Sequence, residues 1–141
     1  MHERIIQRGD IVIADLPTTG GSIQHGRRPI LIVSNNICNT HSPVVTYVPI
    51  TKVQTKASIP THVKIAQTQY NHLKFDSIIL CEQIMSIDKK NIIEFKGRCD
   101  SDTMRKVDKA LAIQLGLRCS EDTEWKLNGL NYQTTIEGGG V

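Results

Sequence analysis

The chain has 141 residues, 39% of them hydrophobic but only 4% aromatic, which suits a single domain with an aliphatic core. No stretch approaches the roughly 18 consecutive apolar residues of a membrane span, and Met1-His2-Glu3-Arg4 leads into no signal-like apolar run, so a cytoplasmic protein with no membrane role is expected. The net charge of +3 is unevenly spread: residues 1–60 carry six Lys/Arg against three Asp/Glu, 61–115 nine against seven, and 116–141 two against four. A mildly basic body tolerates a polyanion without proving that it binds one.

In chain order, Arg8-Gly9 reads as a turn feeding a strand over Asp10–Asp15, marked by alternation and β-branched residues and closed by Leu16-Pro17. A polar loop follows, Gly20-Gly21-Ser22-Ile23-Gln24-His25-Gly26-Arg27-Arg28-Pro29, ahead of a second strand over Pro29–Ser34. Pro29 biases Arg28 toward an extended backbone, so a planar, permanently charged guanidinium is held at the mouth of a strand. That placement suits a phosphate or a developing oxyanion. Further strands are expected over Pro43–Ile50, Thr61–Ile65, Ser77–Ile84 and Ile92–Phe95, with Gln67–Phe75 a short helix or a loop. Six short strands imply a small antiparallel barrel or a tightly rolled sheet. A helix is predicted over Ser101–Leu115, capped by Asp100 or Ser101 and stopped by Gly116, with Met104, Val107, Leu111 and Leu115 on one face. Residues 1–117 thus form the domain, and 118–141, around Trp125 and ending in Gly138-Gly139-Gly140, read as a loosely ordered extension.

The cysteines at 38, 81, 99 and 119 show neither a Cys-x-x-Cys spacing nor a histidine at metal-finger distance, so they read as free thiols and no metal is expected. Thr51 ends a strand and can present its hydroxyl, although a threonine there is more often simply a β-former. Arg8-Gly9-Asp10 resembles an adhesion tripeptide but is better explained as the turn before a strand.

Several blocks together carry a more specific signal. Arg8-Gly9-Asp10-Ile11, the loop Gly21-Ser22-x-Gln24-x-Gly26-x-Arg28-Pro29, Ser34-Asn35-Asn36, Ser42-Pro43, Ile50-Thr51, Pro60-Thr61-His62-Val63 and Leu80-x-Glu82-Gln83-Ile84-x-x-Ile87-Asp88-Lys89 occur in the order and spacing of the MazF/PemK family. The chain resembles that family over roughly residues 6–117. The resemblance implies a mainly β fold with helices, an SH3-like antiparallel barrel of the MazF/CcdB type with a C-terminal helix. It implies the toxin of a type II toxin-antitoxin pair, a sequence-specific endoribonuclease (mRNA interferase) that cuts single-stranded RNA without metal or other cofactor. Its implied partners are the RNA, a cognate MazE-like antitoxin, a second copy in a homodimer and, through the antitoxin, operator DNA.

Position by position, the resemblance puts the catalytic roles on Arg28 and Thr51 and RNA recognition on Ser22, Gln24, Asn35, Glu82 and Gln83; Arg27 is read as contacting backbone phosphate or solvent. The RNA 2′-hydroxyl would attack the adjacent phosphate, leaving a 2′,3′-cyclic phosphate and a 5′-hydroxyl end. His25 and His62 are the rival acid-base candidates. Ile23 stands where related toxins often place a glutamate, so the cleavage sequence is not transferable. Two alternative readings are a CcdB-like gyrase-binding toxin without catalysis and an inactive member that binds RNA or antitoxin. The Arg28/Thr51 pair and the missing Trp-Gly-Ile C-terminus argue against the first.

Overall fold

The computed structural model describes residues 4–53 and 59–118. Among these residues seven strands and two α-helices follow in the order β1 (Asp10–Leu16), β2 (Gly26–Ile32), α1 (Asn36–His41), β3 (Val44–Lys52), β4 (His62–Ile65), β5 (Ser77–Leu80), β6 (Met85–Asp88), a 3-10 turn (Lys89–Asn91), β7 (Ile92–Arg98) and α2 (Ser101–Leu115). The mainly antiparallel β architecture with a C-terminal helix is the one expected. The strands pair along the path β4-β5-β3-β2-β1-β7, with β6 also on β3, so no pair joins the outer strands β4 and β7 to close the sheet.

Four local expectations need correction. β2 begins at Gly26, not Pro29, because β1 pairs with it from Ile11↔Leu31 through to Leu16↔Gly26. Arg27 and Arg28 therefore lie inside the strand, and Gly26, at φ +80°, supplies the left-handed turn into it. Thr51 likewise belongs to β3, opposite Ile78. The single strand expected over Ser77–Ile84 is two strands: β3 steps three residues from Ile50 to Tyr47 while its partner steps six from Ile79 to Met85. The surplus forms the turn that carries Glu82 and Gln83. Finally, α1 appears where no helix was expected, capped by the Asn35 side chain accepting from the Cys38 N–H at 2.9 Å; Gln67–Phe75, expected as a short helix or a loop, is the loop, with turns.

β2 and β3 separate in a way the sequence explains. Their pairing runs Ile32↔Tyr47, Leu31↔Val48, Ile30↔Pro49 and stops. Pro29 and Pro49 stand at this end of the ladder, and neither has an N–H to extend it. The same register carried two residues further sets Arg28 opposite Thr51, now flanking an opening instead of a hydrogen-bonded pair.

Alternation sends side chains to two cores. Ile11, Leu31, Val48, Ile50 and Ile79 pack with Val107 and Ala110 of α2 on one face, while Val12, Ile30, Ile32, Val45, Tyr47 and Ile87 fill the other. Val107 is fully buried, a contribution of about 1.5–3 kcal/mol. Met104 and Leu111 pack against this core, but Leu115 is 58% exposed and drops out of the expected apolar face. Asp100 caps α2 by accepting from the Thr103 N–H at 3.0 Å; bonds from Thr103 hold its carboxyl below the ordinary range. Gly116, at φ +67°, ends the helix.

Cys38, Cys81 and Cys99 are free, and burial pushes the thiols of Cys81 and Cys99 up to about 12, so both stay protonated and serve as small core groups. Cys119, Trp125 and the expected C-terminal extension lie outside the described residues.

Candidate active site

The opening between β2 and β3 is a cavity of about 550 Å³ whose lining includes both Arg28 and Thr51. Among the described residues four further cations line it, Arg27, Lys52, Lys74 and Lys96, against a single carboxylate, Glu94. Low-dielectric walls strengthen such a field, so the cavity is built to attract an anion with more than one charge. Ile13, Pro29, Ile50 and Leu73 supply the apolar part of the wall.

Arg28 is partly buried and its Nε donates to the His25 carbonyl at 3.0 Å. Burial lowers its pKa from the ordinary guanidinium value, because desolvation disfavours the charged form. The remaining guanidinium N–H groups are free of any such backbone tether among the described residues. An anion entering the cavity meets a fork of donors that is oriented and only partly hydrated.

The loop that ends at His25 is held from across the molecule. The Gln83 side-chain Oε1 accepts from the Gln24 N–H at 2.9 Å, and its Nε2 donates to the Ser22 carbonyl at 3.1 Å. Gln83 thus fastens two loop residues by their backbone, leaving the Ser22 and Gln24 side chains for other work. Glu82, beside it, is anchored at the start of β4: its Oε1 accepts from the hydroxyl of Thr61, just before the strand, at 3.2 Å and its Oε2 lies 3.1 Å from His62 Nε2. The structure therefore links the Thr61-His62 block, the Glu82-Gln83 turn, loop 22–25 and Arg28 into one hydrogen-bonded series.

Asn35 stands apart, with its side-chain oxygen engaged in capping α1. Arg27 is exposed and sits opposite Asp15 in the β1–β2 register. Neither His25 nor His62 lines the cavity, so the two rival acid-base candidates are not brought to Arg28 by their rings. Among the described residues no group of three or more His, Cys, Asp or Glu side chains could hold a metal ion.

Sequence reasoning missed Lys52, Lys74, Phe75, Glu94 and Lys96 as lining residues. Lys52 could have been found as the neighbour of Thr51. Lys96 reaches the cavity from β7 itself, and Lys74 and Phe75 follow turn 69–71, which lies against that strand where the Arg98 N–H donates to the Tyr70 carbonyl at 3.2 Å. No local pattern announces that contact.

With this geometry in place, comparison with known proteins is consistent at every level. The model of the family described as PemK-like, MazF-like toxin of type II toxin-antitoxin system matches residues 7–115. Endoribonuclease EndoA of Bacillus subtilis is 43% identical over 113 residues, covering 80% of this chain and 97% of that relative. A mycobacterial endoribonuclease solved in complex with its cognate antitoxin superimposes with a TM-score of 0.65 at 28% identity, covering 83% of this chain and 99% of the other. MazF of Deinococcus radiodurans, at 23% identity, shares the fold with a TM-score of 0.69 over 81% of this chain and 99% of the other. The chain belongs to the PemK-like, MazF-like toxin family of type II toxin-antitoxin systems.

Proposed function

We propose that this endoribonuclease toxin cuts single-stranded RNA at short sequences, using Arg28 and Thr51 as its catalytic pair and the 2′-hydroxyl of the substrate as nucleophile. The observation that carries the reading is the convergence of Arg28 and Thr51 on one cationic cavity, two residues beyond the point where β2 and β3 part.

The chemistry follows from the groups present. The 2′-oxygen attacks phosphorus as its proton leaves, the bond from phosphorus to the 5′-oxygen breaks, and that oxygen takes up a proton. The products are a 2′,3′-cyclic phosphate and a 5′-hydroxyl end. Negative charge builds on the nonbridging oxygens in between, where preorganised donors lower the barrier most. Arg28 supplies charged donors and Thr51 a hydroxyl. With a pKa falling from so high a starting value, Arg28 acts through charge and hydrogen bonding, not as a proton shuttle.

Recognition is assigned to Ser22 and Gln24 of the loop, Asn35 and Glu82, with Arg27 on backbone phosphate and Gln83 serving by fixing the loop. Amide, hydroxyl and carboxylate groups read the edges of splayed bases. Gln83→Ala should lower kcat/KM by up to about 10²-fold, the effect of a small misplacement near the reacting atoms, while costing only about 1 kcal/mol of stability. Gln83→Glu keeps the acceptor for Gln24 and should recover part of the loss. Unchanged kinetics in Gln83→Ala would remove the loop-fixing role.

The toxin acts as a cytoplasmic homodimer restrained by a cognate antitoxin, and through that antitoxin reaches operator DNA. Exposed Ile5, Ile93 and Phe95 around a second cavity of about 620 Å³ support a covered apolar face. Residues 1–117 constitute the active domain. No helix among the described residues is long and apolar enough to cross a membrane.

The deciding experiment incubates the purified protein with a mixed, unstructured RNA pool in EDTA and maps the new 5′-hydroxyl ends. Cleavage at one short sequence is expected to persist in the chelator, because the nucleophile belongs to the RNA. Absence of cut ends with and without divalent metal would overturn the reading in favour of an inactive binding protein.

A further inference from the structure

We propose that Phe75 forms a base-stacking subsite at the rim of the cavity, on which one nucleobase of the RNA packs while Lys52 and Lys74 hold the neighbouring phosphates. The inference deepens the RNA-cleaving reading and rests on it.

Aromatic side chains are scarce in this chain: two Phe, three Tyr and one Trp in 141 residues. Phe75 is nevertheless not spent on either core. It is 50% exposed while lining the same cavity as Arg28 and Thr51. An apolar ring left half in water among cations gains little for the fold, but it offers the planar surface that unpaired bases prefer. The Lys52 ammonium lies 4.5 Å from the ring centroid, so a cation already rests on the ring. A base on the remaining surface would sit beside a charge matched to its own backbone phosphate.

The backbone that carries the ring is fixed on both sides. The Phe75 main-chain carbonyl accepts from the Ser77 hydroxyl at 2.8 Å, and the side chain of the next residue, Asp76, accepts from the Gln67 N–H at 2.8 Å. Two residues earlier, Leu73 is buried in the core, fixed by the buried Asn71 side chain, which accepts from the Thr68 and Leu73 N–H groups and donates to the Ala66 carbonyl. A platform ordered before binding loses little entropy when a base lands on it. Stacking tolerates any base, so Phe75 adds affinity and register, and sequence choice stays with the loop and the Glu82 turn.

The test uses the RNA sequence identified by end mapping, made uncleavable by a single 2′-deoxy residue at the cut position, with 2-aminopurine substituted in turn at each base. With the wild-type protein, fluorescence should be quenched at one position on binding. Phe75→Leu should abolish that quenching and weaken binding about 5- to 150-fold, equivalent to roughly 1–3 kcal/mol; Phe75→Trp should restore both. Quenching and affinity that survive in folded Phe75→Leu would overturn the subsite. So would a variant that binds RNA normally but loses affinity for the antitoxin, which would make the ring a protein contact. Failure of the underlying reading is seen separately, as the absence of any mapped cut.

Discussion

Arg28→Ala is expected to lower the cleavage rate at least 10²- to 10³-fold, about the loss that follows removal of one preorganised donor at an oxyanion, with the thermal unfolding midpoint lowered by only about 5 °C. The two halves of that expectation have separate causes. In the ground state the side chain makes one tether, from Nε to the His25 carbonyl, and its loss costs about 1 kcal/mol. In the transition state it supplies charged donors to the developing negative charge from inside the cavity it lines with Thr51. Arg28→Lys keeps the charge but loses the planar fork and the fixed direction of its donors, so it should recover only a small part of the rate. Single-turnover cleavage of the mapped sequence, run beside circular dichroism melts, separates the effects. A folded Arg28→Ala protein that cuts at full rate would require a different catalytic group.

Gly97→Ala should be among the most disruptive single-methyl changes in the chain. A Cβ at this position would lie 2.3 Å from the Tyr70 carbonyl oxygen and 2.8 Å from backbone atoms of Asn71. Both are main chain, so no flexible side chain can swing aside. Either β7 leaves its pairing with Ile11, or turn 69–71 lifts from the strand and pulls on the buried Asn71 and Leu73. Overpacking of this kind costs about 1–3 kcal/mol and sometimes more, a fall in Tm of roughly 10 °C for a domain of this size. The same lift would carry Lys74 and Phe75 away from the cavity, so RNA binding should weaken along with stability. Differential scanning calorimetry and binding of the 2′-deoxy substrate check the pair of effects. An unaltered Tm would show that the segment is not clamped to β7 at this point.

Much of the site could be read from the chain because its determinants are local. Pro29 after Arg28, and Pro49 just before Ile50-Thr51, mark where two strands must stop sharing hydrogen bonds. The glycines before Arg28 mark a loop, and the period of Met104, Val107 and Leu111 marks the helix that covers one core. The expected strand boundaries failed where pairing overrides local pattern. Arg27 and Arg28 look like loop residues but are strand residues because β1 continues beside them. Glu82 and Gln83 look like the end of a strand, yet the apolar run Ser77–Ile84 accommodates a turn because β3 can pair on both sides of it.

The sequence by itself determined the family, the mainly β fold with its C-terminal helix, and the two residues on which the catalytic proposal rests. These follow from alternation, turn chemistry and motif order, all carried by neighbours along the chain. Only the tertiary structure decided that Gln83 holds the loop by its backbone, that Asn35 caps a helix, that Glu82 is tied to Thr61 and His62, and that Lys74, Phe75 and Lys96 share a cavity with Arg28. Apart from the Asn35 cap, which is local, each of those contacts joins residues far apart in sequence, brought together by strands whose register is set by burying both faces of one sheet. A side chain's partners are fixed by that register and not by its own type, which is why the chemistry of Arg28 was visible in advance and the company it keeps was not.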